Sequence, residues 1–305
     1  MILLTALAAP SVGQSTFQWP DSSKYWRVLV NVNQYIENYT TSHPKWFAQD
    51  KLVTDFSVID ANRIGHDQAV QQYQKIHYLL ESRGMCVGTY VSGTTVMPEP
   101  EQSTYPPRTV SIEQMPVTAH YMGFWPQHPS RKIIDLTDPD TRHAIQANIK
   151  QLWNSLPAPV RFVDNAAVHQ STGRAQPWEA YCEHMKEISQ LGEALGSRII
   201  FNISMHVGML SDQDIRELMQ AVGTNGIALE MPWHRVIRQD KEASERAQNR
   251  YRQLLDSGMA VILIPIDTPE DALSEWVRSW RKPTDHVYIS GAFFKQPDGA
   301  IYSLQ

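Results

Sequence analysis

The chain is expected to fold as a single (β/α)8 barrel, the TIM barrel, an α/β architecture in which parallel strands form a ring wrapped by helices. Three observations lead there. Eight short apolar runs alternate with helical periodicity along the 305 residues, the order that builds parallel β/α units. Several of these runs are apolar without alternation, as strands covered on both faces are. No Gly/Ser-rich linker or charge run divides the chain, and one-domain barrels of roughly 250 residues are common. An open doubly wound sheet is the alternative, but no G-x-G-x-x-G or G-x-x-x-x-G-K-[ST] follows the first strand to favour it.

The elements follow in order. Residues 1–24 read as a leader: "MILLTALAAPSVGQS" has a short apolar core followed by small residues, like the end of a secretory signal, yet the first basic residue is Lys24 and no positive n-region precedes the core. The expectation is a partial signal-like segment on a secreted or cell-envelope protein, with an unstructured leader as the plain alternative. The barrel then occupies 25–305. Its strands are expected in "WRVLVNVNQY" from Trp26, "FSVIDAN" from Phe56, "MCVGTYVS" from Met85, "VRFVDNA" from Val160, "RIIFNIS" from Arg198, "GIALEMP" from Gly226, "MAVILIPI" from Met259 and "HVYISGAFF" from His286. The crossover from Ile36 to Asp55 is short and carries no strong helical pattern.

Between the strands, apolar spacings of three and four mark helices that face a sheet. They run through Val70, Tyr73, Ile76 and Leu80; Ile145, Ile149, Leu152 and Trp153; Trp178, Tyr181, Cys182, Met185 and Ile188; Ile215, Leu218, Met219 and Val222; and Leu273, Trp276, Val277 and Trp280. Asp138 before Pro139, Ser211 with Asp214, and Thr268 before Pro269 supply starts. Gly84, Gly196 and Gly258 supply stops. One connection is much longer than the rest: 93–132 is rich in Pro, Thr and Gln but also holds Tyr105, His120, Tyr121, Phe124 and Trp125. That aromatic content suits a folded lid over the third strand, since long loops in compact domains are usually functional or disordered.

Composition removes several function classes. The formal net charge is -5 and the 27 Lys and Arg residues are scattered, so neither nucleic acid nor an anionic membrane surface is expected as a partner. No apolar run approaches the roughly 20 residues of a membrane span. Cys86 and Cys182 are the only cysteines and read as two buried thiols, too few for a structural zinc site.

In this architecture side chains at the C-terminal ends of the strands converge on one mouth. The polar residues there are Asn31, Asn33 and Tyr35; Asp60 and Asn62; Tyr90 and Ser92; Asp164 and Asn165; Asn202 and Ser204; Glu230, Trp233 and His234; Asp267; and Ser290. Singly, each has a bland explanation as a helix cap or loop tie. Asp164 and Glu230 differ because each is the lone acid ending an apolar strand, "RFVD" and "IALE". On the fourth and sixth strands they are expected to face one another across the mouth. A carboxyl pair is the equipment of glycosidic-bond hydrolysis, one to protonate the leaving oxygen and one to attack carbon or activate water. Tyr35, Tyr90, Tyr121, Trp125 and Trp233 add flat faces for sugar C–H groups, with Asn and Asp for hydroxyls. Trp125 has a competing explanation as packing between lid and barrel.

The series "VGTYVSG", "IIDLTDPDTRHAIQANIKQLW", "VRFVDNA", "FNIS" and "IALEMPWH" resembles the glycoside-hydrolase-like TIM barrels that include the endo-α-1,4-polygalactosaminidases and, more remotely, the α-galactosidase clan. The resemblance spans roughly Arg27 to the end. It implies Asp164 as nucleophile or its equivalent, Glu230 as acid/base, and Asp60 as a ligand of sugar hydroxyls. "MPWHR" after Glu230 departs from the Cys-containing segment associated with the polygalactosaminidases, so the substrate does not carry over.

Other chemistries lack their residues. An amidohydrolase needs an H-x-H pair that "VNVNQY" does not hold, a polysaccharide deacetylase needs an H-x-x-x-H pair, and G-x-S-x-G is absent. A Schiff-base lysine has only Lys295 as a loose candidate. The expected activity is therefore cofactor-free hydrolysis of a polysaccharide or oligosaccharide, with a non-catalytic carbohydrate-binding barrel as the alternative.

Overall fold

Backbone pairing sorts the apolar runs into one parallel series. The computed structural model describes residues 17–21, 27–28, 52–53, 59–82, 84–98, 104–125, 128–164, 176–203, 210–232, 240–266, 268–290 and 294–295. Its strands begin with β1 (Arg27–Val28), β2 (Leu52–Val53), β3 (Ile59–Asp60), β4 (Cys86–Val87), β5 (Thr89–Ser92), β6 (Thr95–Met97), β7 (Thr104–Tyr105), β8 (Val110–Ser111), β9 (Tyr121–Trp125) and β10 (His128–Ile134). They continue with β11 (Val160–Asp164), β12 (Arg198–Asn202), β13 (Gly226–Pro232), β14 (Ala260–Ile266), β15 (Thr268–Pro269), β16 (Val287–Ser290) and β17 (Phe294–Lys295). The helices are α1 (Ala61–Ile64), α2 (His66–Ser82), α3 (Pro139–Ser155), α4 (Trp178–Ala194), α5 (Asp212–Val222), α6 (Lys241–Asp256) and α7 (Glu270–Trp280).

The main sheet runs β1-β16-β14-β13-β12-β11-β5, with each neighbouring pair parallel. β4 and β5 are one run interrupted at Gly88, and β4 pairs in parallel with β2. The combined order is β2, β4/β5, β11, β12, β13, β14, β16, β1, which is the sequential order of a β/α ring. The β1–β2 joint is the one link without a described pairing. Two differences from expectation concern strand ends. The second strand is carried by Leu52–Val53 and not by the run from Phe56, because it is Leu52 and Val53 that align with Cys86 and Val87. Ile59 and Asp60 pair antiparallel with Tyr105 and Thr104 of the lid. Likewise Thr268–Pro269, expected as a helix start, pairs with Phe294–Lys295, and α7 begins at Glu270.

Burial separates the two faces of the sheet. Tyr90, Val160, Phe162, Ile200, Ala228, Ala260, Ile262, Ile264 and Tyr288 form one cluster, and the alternating positions Val91, Val163, Ile199, Phe201, Ile227, Leu229, Val261 and Leu263 join the helices in the other. Successive strand side chains point to opposite faces, so the first cluster is the interior and the second the layer beneath the helices. Two predicted stripes supply that layer, Ile145, Ile149 and Trp153 of α3 and Ile215, Leu218 and Val222 of α5, and Tyr73, Ile76 and Leu80 of α2 are buried as well. Asp138 accepts from the Thr141 N–H at 3.2 Å, and Ser211 and Asp214 form a reciprocal capping box. Gly84, Gly196 and Gly258 all take positive φ, as stops ahead of strands require. Both cysteines are free, with burial pushing each thiol up to about 12.

Two further features frame the site. Residues 17–21, within the expected leader, pack on the interior: Trp19 lies 6.1 Å from Tyr288, and the Tyr288 hydroxyl donates to Pro20 O at 2.5 Å. Gly226 starts β13 where an added Cβ would stand 2.8 Å from Trp19 Cη2, so the close approach requires glycine. The long insertion, in turn, is folded. β8, β6, β10 and β9 make a four-stranded sheet, and the expected short strand at "IIDL" is the end of β10, where Ile133 and Ile134 are buried.

Candidate functional site

β11 brings Asp164 to the mouth by alternation. Val160 and Phe162 face the interior, and Asp164, two residues on, shares their parity and ends the strand. The side chain is 9 % exposed, so its charge needs compensation from within. Asn202 Nδ2 donates to Oδ1 at 2.8 Å, and the Tyr90 hydroxyl donates to Oδ2. Asn202 ends β12 and Tyr90 stands in β5, so three adjacent strands converge on one carboxylate. The Tyr90 ring stacks on Phe162 with centroids 5.6 Å apart. The Arg108 guanidinium lies 4.2 Å from its centroid, a cation over an aromatic face. Arg108 belongs to the insertion, and its carbonyl accepts from the Ser92 N–H at 2.7 Å.

Position 230 follows from register. Asn202 aligns with Ala228, so Glu230 stands two residues further along β13, aligned with Ile264. Because β11, β12 and β13 are parallel, both acids lie toward the same strand ends. The two strands flank β12, placing their backbones about 10 Å apart at normal strand spacing. The expected opposition across the mouth is thus corrected to a neighbouring arrangement, since fourth and sixth strands are separated by one strand and not by half the ring.

The remaining expected residues divide. Asp60 pairs through its backbone with Thr104 of the insertion. Asn62 is exposed on α1. Trp125 is half-buried and packs against the cluster beneath the helices. Asn31, Tyr35, Asn165, Trp233 and His234 lie outside the described residues, as do Asn33, Ser204 and Asp267.

Sequence reading missed the support behind Asp164. The Gly93 N–H donates to Asp164 O at 2.8 Å, and an added Cβ at Gly93 would meet Val163 Cγ1 at 2.6 Å. Gly93 O in turn faces His184 Nε2 at 2.9 Å. A carbonyl only accepts, so Nε2 carries the proton, and Nδ1 is left to accept from Gln146 Nε2 at 3.4 Å. Gln146 and Arg142 both donate to Glu187. The signal available in the sequence was a lone histidine inside the apolar stripe of α4; its partner 91 residues away was not readable.

His184 is wholly buried, and burial lowers its pKa to about 4, with Glu187 opposing and Arg142 reinforcing the shift. The folded protein therefore keeps the ring neutral while the unfolded chain protonates near pH 6.5. Stability is present in full above pH 6.5 and declines as the pH falls toward 4. The expected loss from this residue is on the order of 3 kcal/mol. Urea midpoints at pH 7 and pH 4.5 check it: His184→Gln should lose distinctly less stability between the two than the parent. Equal losses would remove His184 as the source.

No protein-family model matches the chain, and no curated protein matches it either. Solved structures do. Ega3 of Aspergillus fumigatus, in complex with galactosamine, is 10% identical over 92% of this chain and 96% of that one, with a TM-score of 0.46. The glycoside hydrolase domain of PelA from Pseudomonas aeruginosa is 14% identical over 80% and 88%, with a TM-score of 0.43. A cycloisomaltooligosaccharide glucanotransferase from Paenibacillus sp. is 12% identical over 83% of this chain but 40% of that one, with a TM-score of 0.51. At that last similarity the likeness is one of fold alone.

Proposed function

We propose that the chain is a glycoside hydrolase acting on a polysaccharide or oligosaccharide from a closed (β/α)8 barrel, its ring completed by pairing of β1 with β2. The observation that carries this reading is the treatment of Asp164. Each oxygen of this carboxyl accepts a hydrogen bond, from Tyr90 and from Asn202. A group held by donors on both oxygens is arranged to act as a charge or nucleophile, not to hand over a proton.

In this reading Glu230 protonates the leaving glycosidic oxygen while Asp164 attacks the sugar carbon or stabilises the oxocarbenium-like transition state. Glu230, now ionised, then takes a proton from a water that attacks the same sugar carbon, which breaks the bond to Asp164 where one has formed and restores both carboxyls to their starting states. Tyr90 and Asn202, expected among the sugar-binding residues, act first as positioning residues for Asp164. Asn31, Tyr35, Asp60, Asn62, Asn165, Trp233 and His234 are proposed to contact sugar around the rim, with Trp125 at the lid. The work needs no cofactor, and action in the envelope or medium is part of the proposal.

The test is turnover on a panel of glycans that includes amino-sugar polymers, run beside binding to the same panel. Cleavage of at least one supports the proposal; binding without cleavage replaces it with a carbohydrate-binding barrel. Trp125→Ala is expected to weaken oligosaccharide binding and, because the ring packs on the core, to cost stability as well. That cost should stay below the about 3–5 kcal/mol of a fully buried aromatic. Calorimetry on the variant checks both, and unaltered binding would assign Trp125 to packing alone.

A further inference from the structure

A second cleft, of about 360 Å³, lies between the insertion and α3. That volume falls in the range of small-molecule sites. One wall presents Thr109, Ser111 and Gln114; the other presents Asn148, Gln151 and Ser155. The last three are spaced three, four and seven residues apart on α3 and so share one helix face. Thr109 and Ser111 are buried to within 4% and 6% of full enclosure.

The polar groups are held in place by their own bonds. Asn148 Nδ2 donates to Gln114 O and to Ala144 O, both at 3.1 Å, which ties the two walls together and fixes the amide so that Oδ1 is its acceptor. Gln114 Oε1 accepts from the Ser111 N–H at 3.1 Å, which orients its amide nitrogen as a donor. Ser155 Oγ donates to Leu152 O at 2.7 Å and retains its lone pairs. Among the described residues lining this cleft none carries a charge. A phosphate or carboxylate would want a cation there and a metal ion would want carboxylates, while an apolar ligand would bury amides without partners. Hydroxyl groups, which donate and accept at once, match a mixed neutral set of this kind.

We propose that this cleft is a second binding site, taking a neutral hydroxylated ligand, namely a short stretch of uncharged oligosaccharide. It is distinct from the mouth at Asp164: Pro107 and Thr109 line it, while the Arg108 side chain between them lies over Tyr90. The inference does not depend on catalysis.

The experiment titrates the whole chain by calorimetry with cellotetraose, maltotetraose and N-acetylchitotetraose as neutral probes. A chitosan tetramer and tetragalacturonate serve as charged ones. At least one neutral tetrasaccharide is expected to bind, and Asn148→Asp and Gln151→Trp should each weaken that binding tenfold or more, the first by adding charge and the second by filling the cleft. Asp164→Asn should leave this component unchanged. If Gln151→Trp misfolds, the nearly isosteric Asn148→Asp decides. Binding that ignores both cleft variants, a preference for a charged tetramer at this site, or no binding of any neutral probe would overturn the proposal. Loss of turnover alone would bear only on the catalytic reading.

Discussion

Asp164→Asn is expected to reduce turnover on the order of 10⁴-fold, the scale seen when one member of a catalytic unit is removed, while leaving the fold in place. The second half of that expectation rests on the Tyr90 hydroxyl. In the parent it donates to Oδ2 while Asn202 donates to Oδ1. An asparagine presents one acceptor and one donor, and a phenol can reverse its role to accept, so the network closes again without the charge. What disappears is the nucleophile, or the negative charge opposite a developing oxocarbenium ion. Glu230→Gln should also collapse turnover on natural glycans. Its loss should shrink on activated aryl glycosides, whose leaving groups depart without a proton. Rates for both variants on both substrate types, with unfolding curves alongside, check this. Near-normal turnover in both would make the acids structural.

Arg161→Met is expected to cost about 3 kcal/mol of stability with little direct effect on the reacting groups. Arg161 is 2 % exposed on the helix-facing side of β11, and the bonds recorded for its guanidinium go to neutral groups. Nε donates to Ser197 Oγ at 3.0 Å, Nη1 to Leu156 O at 3.1 Å, and Nη2 to Trp153 O at 3.2 Å. Those two carbonyls belong to the end of α3, whose last turn has no intrahelical donors of its own. The cation therefore caps a helix C-terminus from beneath, where the helix dipole favours positive charge, and it lies 4.8 Å from the Trp153 ring. Burial lowers its pKa to about 10, which leaves it charged at neutral pH. Methionine fills similar volume but strands the two carbonyls, at about 1–3 kcal/mol for each buried group left unsatisfied, while Ser197 Oγ keeps its bond to Ala158 O; relief of the buried charge offsets part of the loss. Denaturant unfolding measures the difference, and a change below about 0.5 kcal/mol would show that the capping role is dispensable.

Much of the fold was legible because it depends on local rules. Unalternated apolar runs such as "IIFN" and "IALE" marked strands covered on both faces. Asp138, Ser211 and the three glycine stops acted within a turn of their own positions. Asp164 was legible for a related reason: a carboxylate ending an apolar strand has to find either water or donors. Tyr90 and Asn202 were identified as neighbours of the mouth, although their first role, as donors to Asp164, was not.

By itself, then, the sequence determined most of the strand runs, the helices that carry a clear apolar stripe, the caps at Asp138 and Ser211, the three glycine stops and the acid that ends β11, since these follow from side-chain periodicity and backbone preference over a few residues. Tertiary structure alone decided the partners. It assigned the second strand to Leu52–Val53 and the run at Ile59–Asp60 to the insertion, because strand pairing is a competition between distant backbones that propensity does not rank. It also brought Arg108 over Tyr90, His184 to Gly93 and Arg161 to the end of α3, contacts spanning 91 residues in one case. Burial and hydrogen-bond satisfaction select such contacts only once the chain is closed on itself, because a polar group must then take its partner from whichever segment the fold has carried within reach.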